Sequence, residues 1–268
     1  MTTALTADRL NKKFGDHVAV EDVSFQLPEG GALGLVGESG SGKTTVARML
    51  VGLEPPTSGS VLHEGRTRRD CGRLGAARQI QMVFQDPYLS LDPRLSARSA
   101  IDRVLKLHGK RSKTERVNRT SELLDSVNLS GREATALPRE LSGGQRQRIA
   151  IARALAVEPR VLVLDEATSA LDVSVQAQIL TLLNQIRSEQ QLAYIFVSHD
   201  LAVVKQVCDE LLVMYRGLVV EHTTPARALT DPQHPYTRLL VESVPRPGWH
   251  PGQIAANRRR VQQELARA

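Results

Sequence analysis

The sequence predicts an α/β domain on a mixed, mostly parallel sheet, and three observations carry that prediction. The apolar run Ala32–Val36 leads straight into Gly37-Glu38-Ser39-Gly40-Ser41-Gly42-Lys43-Thr44, the order strand, glycine loop, helix. Val161-Leu162-Val163-Leu164 is apolar throughout and ends in Asp165-Glu166, as expected of a central parallel strand presenting carboxylates at its C-terminal edge. Strand-like runs then alternate with helical stretches, the rhythm of βαβ units. With 268 residues there is room for one large domain carrying an inserted subdomain, although length alone does not separate this from two domains.

Composition narrows the function classes. Hydrophobic residues make up 41%, ordinary for a globular chain, but aromatics only 3%, so the core is aliphatic and base-stacking platforms are scarce. That argues against a nucleic-acid partner. The net charge of +6 suits polyanions or an anionic membrane face, but part of it sits in Arg258-Arg259-Arg260, read as a solvated tail. Cys71 and Cys208 lie far apart with no C-x-x-C pair, which suggests neither a disulfide framework nor a structural zinc site and fits a reducing cytosol. No signal peptide is read at the start, and no apolar run approaches the ~18 residues that span a bilayer. Work at a membrane would therefore go through partners.

Taken in order, residues 5 to 27 alternate Val23, Phe25 and Leu27 against Ser24 and Gln26, predicting an antiparallel strand region ahead of the glycine loop. Phe14 lies there, flanked by Lys12, Lys13 and Gly15. In the loop itself, glycines let the backbone curl until several N–H groups face one anion. Lys43 adds a point charge, the helix beginning near it aims its positive end at the same place, and the Thr44 hydroxyl is a Mg²⁺ ligand. The chain is thus expected to bind a nucleoside triphosphate through residues 37 to 45.

A helix is predicted from Thr45 to Leu53, stopped by Pro55-Pro56, and then a strand over Ser60 to His63. Residues 64 to 78, rich in Arg and Gly, read as a surface excursion. Ile80 to Phe84 is a buried-type strand that delivers Gln85, followed by the proline-bounded loop 86 to 93. Helical segments over Ala100 to His108 and Thr114 to Val127 suggest an inserted helical subdomain, about residues 86–158. It ends in Leu141-Ser142-Gly143-Gly144-Gln145, a second glycine turn at the start of a helix over Gln145 to Val157, with Ser142 as N-cap. A helix over Val173 to Glu189, a strand over Ala193 to Val197 delivering Ser198-His199-Asp200, and a strand over Leu211 to Tyr215 complete the core.

Beside a phosphate loop, two adjacent carboxylates divide the labour of phosphoryl transfer: Asp165 holds Mg²⁺, and Glu166 orients or deprotonates the attacking water. Gln85 reaches both metal and water, and His199 holds Glu166 and water in line with the γ-phosphate. With these residues in place the chain resembles the nucleotide-binding subunit of an ABC transporter. The Walker A loop Gly37 to Thr44, the Q-loop Gln85, the signature Leu141 to Gln145, the Walker B segment Val161 to Glu166, the D-loop Ser169-Ala170-Leu171-Asp172 and the switch His199 stand in that family's order and spacing.

That resemblance implies a P-loop NTPase of ABC type spanning 1–268 as a single nucleotide-binding domain, with a family C-terminal extension at about 231–268. It implies ATP and Mg²⁺, with Phe14 at the adenine-stacking position, where tyrosine is commoner. It also implies a head-to-tail dimer in which Ser142, Gly143, Gly144 and Gln145 act on the partner's ATP, with Asp172 at the boundary. Residues 83 to 93, Leu171 to Gln176 and Asp231 to Leu240 are similar to importers of the oligopeptide/dipeptide/nickel group. In isolation the last reads only as a proline-capped helix, and the iron–sulfur tail of some relatives has no counterpart. The implied partners are two transmembrane permease subunits, with residues 86 to 94 forming part of the groove that receives a coupling helix from the membrane subunit, a second ATP-binding subunit and an extracytoplasmic solute-binding protein. The implied location is peripheral, on the cytoplasmic face of the membrane. Peptides are the default solute, with nickel, metal chelates or glutathione as alternatives, and a non-transport ABC ATPase or an exporter as more distant ones.

Overall fold

The computed structural model describes residues 2–86, 90–109 and 112–243. Pro87 to Leu89 of the expected coupling groove, Arg258-Arg259-Arg260 and the rest of the expected extension from 244 onward lie outside the described residues. Two sheets organise the described residues. β1 (Thr3–Phe14), β2 (His17–Pro28), β4 (Ser58–His63) and β5 (Arg66–Thr67) form an antiparallel sheet in the order β2-β1-β4-β5. β3 (Ala32–Val36), β6 (Ile80–Val83), β7 (Val161–Asp165), β8 (Ala193–Ser198), β9 (Glu210–Tyr215) and β10 (Leu218–Thr223) form the second, in the order β10-β9-β3-β8-β7-β6. All its neighbours pair parallel except β10, which runs antiparallel to β9.

The parallel strands are buried on both faces because alternate residues feed two different cores. Leu33, Leu35, Val161, Val163, Ile195 and Val197 pack toward the antiparallel sheet and α1 (Lys43–Leu50), whose Val46, Ala47, Met49 and Leu50 join them. Val36, Leu162, Leu164, Tyr194 and Phe196 face the opposite layer. That layer includes α7 (Val173–Gln190), α8 (Leu201–Val207), α9 (Pro225–Thr230) and α10 (Pro235–Glu242). Between β6 and β7 the described chain is helical: α3 (Ala97–His108), α4 (Lys113–Ser126), α5 (Arg132–Thr135) and α6 (Gly143–Leu155). The aliphatic core expected from the low aromatic content is realised, with Tyr194, Tyr236 and Phe196 the largest fully buried rings among the described residues.

Several expected boundaries move. α1 starts at Lys43 rather than Thr45, because Gly42 at φ 103° caps it, and it ends at Leu50 rather than Leu53. Residues 64 to 78 are not a loose excursion but β5 and the helix α2 (Arg68–Gln79). Its cause is a reciprocal capping box: Thr67 N donates to Asp70 Oδ2 at 2.8 Å, and Asp70 N donates to Thr67 Oγ1 at 3.3 Å. The glycines that suggested a loop do mark a break, since Gly72 leaves the helical region at φ 66°. α3 and α6 begin three and two residues earlier than expected, at Ala97 behind the N-cap Ser96 and at Gly143 behind Ser142. β9 does not close the sheet, because Arg216 and Gly217, at φ 48° and 86°, form a two-residue turn that adds β10 at the edge.

His63 on β4 is 2% exposed, and neither ring nitrogen has a hydrogen-bond partner among the described residues. Burial, with the Arg68 guanidinium adding to it, pushes its pKa down to about 4. The native imidazole therefore stays neutral where the unfolded one, near 6.5, takes up a proton. Its stability contribution is present above about pH 6.5 and is lost as pH falls from there to 4, by about 3 kcal/mol. Urea unfolding at pH 7.5 and pH 4.5 should show a smaller acid loss for His63→Leu than for the wild type; equal losses would refute the assignment.

Candidate functional site

β3 ends at the glycine loop, and three steric facts fix the loop's shape. Gly37 sits at φ 155° with the Met214 carbonyl of β9 so close that no Cβ could fit. Gly42, at φ 103°, would place a Cβ 2.6 Å from the Ala19 carbonyl of β2. Gly40, at φ 80°, has open space around it. The first two positions thus require glycine for close approach as well as for backbone angle. The loop is braced from behind, where Gly217 N of the β9–β10 turn donates to Ser41 O at 3.0 Å.

Lys43 is 4% exposed, and its Nζ donates to the carbonyls of Gly37 and Glu38, each at 2.8 Å. Burial pushes the ammonium's pKa down, and the carboxylates of Glu166, Asp165 and Glu38 oppose that fall. Thr44 Oγ1 donates to Asp165 Oδ1 at 3.2 Å. Burial pushes the Asp165 carboxyl up, the Thr44 hydroxyl pulls it down, and the neighbouring Glu166 charge adds to the rise. The Thr44 hydroxyl and the Asp165 carboxylate, with Gln85 nearby, are the hard oxygen donors that suit Mg²⁺ once phosphate oxygens complete its shell.

Glu166 follows β7 in the left-handed region at φ 46°. Its backbone is held on both sides: its N–H donates to Val197 O at 3.0 Å, and its carbonyl accepts from Ser169 N at 3.1 Å and Ser169 Oγ at 2.9 Å. A non-glycine residue kept in this region costs of order 1–3 kcal/mol and persists where its surroundings over-determine it. The side chain is fixed as well. Gln85 Nε2 donates to Glu166 Oε2 at 3.1 Å, and His199 Nδ1, arriving from the end of β8, lies 3.6 Å from Glu166 Oε1.

A cleft of about 1100 Å³ collects these groups. Of the expected residues it is lined by Phe14, Gly37, Glu38, Ser39, Gly40, Gly42, Lys43, Thr44, Thr45, Gln85, Glu166 and His199. Ser41 and Asp165, 4% and 6% exposed, lie beneath the lining. Phe14 is 48% exposed at the rim, with Lys12 Nζ 4.8 Å from its ring centre. Ser142, Gly143, Gly144 and Gln145 are not among the lining residues. There Ser142 caps α6, accepting from Gln145 N at 3.2 Å while Gln145 Oε1 accepts from Ser142 N at 2.9 Å, and Gly144 is packed so tightly on Val175 that a Cβ would collide.

Other residues of the cleft carry no site role expected from the sequence: His17, Ala19, Asp200, Ala202, Leu240 and Ser243 line it, and Tyr236 Oη accepts from Glu38 N at 2.8 Å. The proline before Tyr236 marked a helix start but carried no sign of where that helix docks.

A glycine loop that closes a parallel strand, with a buried lysine inside it and a carboxylate pair at the end of β7, one strand removed in the same sheet, defines a P-loop nucleoside triphosphatase. The sequence profile described as ABC transporter matches residues 20–169. The chain is 44% identical over 238 residues to the oligopeptide transport ATP-binding protein AppF of Bacillus subtilis (strain 168), covering 87% of this chain and 72% of that one. It is 45% identical over 244 residues to the glutathione import ATP-binding protein GsiA of Escherichia coli O6:H1, covering 90% of this chain and 39% of that one. Among solved structures it is similar to a dimeric post-hydrolysis form of the ATP-binding cassette MJ0796 bound to ADP and Pi. That likeness has a TM-score of 0.73 at 30% identity and covers 82% and 98% of the two chains. The chain belongs to the ABC transporter family, and it is an ATP-binding chain with ATPase chemistry.

Proposed function

We propose that the chain is the ATP-hydrolysing subunit that energises import of di- or oligopeptides through separate membrane subunits. The observation that carries this is the identity with an oligopeptide transport ATP-binding protein over most of the chain. In this reading the amides of residues 39 to 44 and the Lys43 ammonium hold the phosphates of ATP, and Phe14 stacks on adenine. Thr44, Asp165 and Gln85 would hold Mg²⁺, which would supply positive charge to offset that of the bound phosphates. Glu166 takes the proton of the attacking water, and His199 keeps it and the γ-phosphate in line. The signature residues act on a partner subunit's ATP, consistent with their place outside this chain's own cleft. ATP binding closes the dimer, and hydrolysis reopens it.

The partners are two permease subunits, a second ATP-binding subunit and an extracytoplasmic solute-binding protein, with this chain peripheral on the cytoplasmic face. No helix among the described residues is long and apolar enough to cross a membrane. Glutathione import is the second reading, favoured by the likeness to GsiA. The test is gentle detergent extraction of native membranes, pull-down on this subunit and mass spectrometry. Recovery of two membrane-spanning subunits and a sibling ATPase is expected. Ribosomal or DNA-bound proteins without a membrane partner would overturn the transport half and leave the ATPase.

A further inference from the structure

The tail helix α10 forms a wall of the nucleotide cleft, and its Tyr236 reaches the phosphate loop. Tyr236 is 1% exposed, and its hydroxyl accepts the Glu38 N–H at 2.8 Å. Its ring packs on Tyr215 of β9, with centroids 4.4 Å apart and planes inclined by 43°. The start of α10 is fixed in turn by Glu221 of β10, whose carboxylate accepts from Gln233 N at 3.2 Å and His234 N at 2.9 Å. Leu240 and Ser243, farther along the same segment, line the cleft.

Two consecutive residues of the loop are therefore gripped by two different elements. Gly37 is pressed against the Met214 carbonyl of β9, and Glu38 is tied by its amide to α10. An amide already engaged by a tyrosine does not turn toward a phosphate. It fixes the direction in which the chain leaves β3, and with it the aim of the amides that follow. We infer that Tyr236 is a positioning residue for the phosphate loop, so that nucleotide affinity depends on how α10 is seated. This rests on the assignment of the cleft to ATP. By reciprocity, ATP binding steadies α10 by the same free energy with which the seating of α10 strengthens ATP binding.

The ring pair supplies its own control. The Tyr215 hydroxyl is buried with no hydrogen-bond partner among the described residues, so Tyr215→Phe removes the same atom from the same pair without touching the loop. In the full-length chain, Tyr236→Phe is expected to raise the Kd for ATP and the KM roughly fivefold, the factor for one net hydrogen bond. Its kcat should stay within about twofold, as expected for binding lost equally from ground and transition states. The melting temperature should stay near the wild type, and Tyr215→Phe should bind as the wild type does. Unchanged ATP binding by Tyr236→Phe, or an equal loss in Tyr215→Phe, would overturn the inference. A wild-type chain that bound no ATP would overturn the assignment beneath it.

Discussion

Glu166→Gln is expected to lower ATP turnover by roughly 10²–10⁴-fold, the usual contribution of a positioned general base, while ATP binding survives. The substitution keeps the shape of the side chain and removes its charge. Gln85 then faces an amide instead of a carboxylate, and His199, 3.6 Å from Oε1 in the native chain, loses the anion it faces. The loop, Lys43 and Thr44 are untouched, so the substrate still binds and is not consumed. Size-exclusion chromatography with ATP and Mg²⁺ should show a stable dimer for the variant and a transient one for the wild type. Undiminished turnover in the assembled complex would remove Glu166 as the base.

Lys43→Ala is expected to weaken ATP binding about 10–100-fold, the range for losing a hydrogen bond from a charged group. Its ammonium is buried at the heart of the loop and holds the Gly37 and Glu38 carbonyls, and in the proposed function it also faces the phosphates. Without it those carbonyls lose a donor, and the loop loses the internal strut that shapes it. Lys43→Arg should rescue poorly, because a planar fork does not replace a compact ammonium in a space this small. Calorimetric titration with ATP checks both variants. Wild-type affinity in Lys43→Ala would show that the loop amides alone carry the phosphates.

Much of this was legible because it is local. The glycine loop, the apolar run before it and the adjacent carboxylates at 165 and 166 announce themselves within a few residues, and the strands that hold them came out where expected. Ser142 was readable as an N-cap for the same reason. What escaped depended on longer reach or on weak local contrast. α2 was hidden because its glycines and arginines outweighed the Thr67–Asp70 box that starts it. β10 depended on reading Arg216-Gly217 as a hairpin turn. The left-handed backbone of Glu166 is imposed by Val197 and Ser169, and nothing in the Asp-Glu dipeptide predicts it. The Tyr236 contact joins residues 198 apart in the chain, and no local pattern encodes that.

That separation has a consequence for the order in which the molecule is made. Synthesis delivers the glycine loop early, but its supports Met214, Gly217 and Tyr236 belong to the last quarter of the described chain. At ~5–20 residues per second, the ribosome takes roughly 10–40 s to pass from Glu38 to Tyr236. For most of that interval the nascent loop lacks the carbonyl that shapes Gly37, and throughout it the hydroxyl that holds Glu38. The N-terminal sheet can pair during this time, since β1 and β2 are neighbours in sequence. The nucleotide site is completed last, so a ribosome-bound chain stalled before residue 210 should fold its first sheet without acquiring the ability to hold ATP.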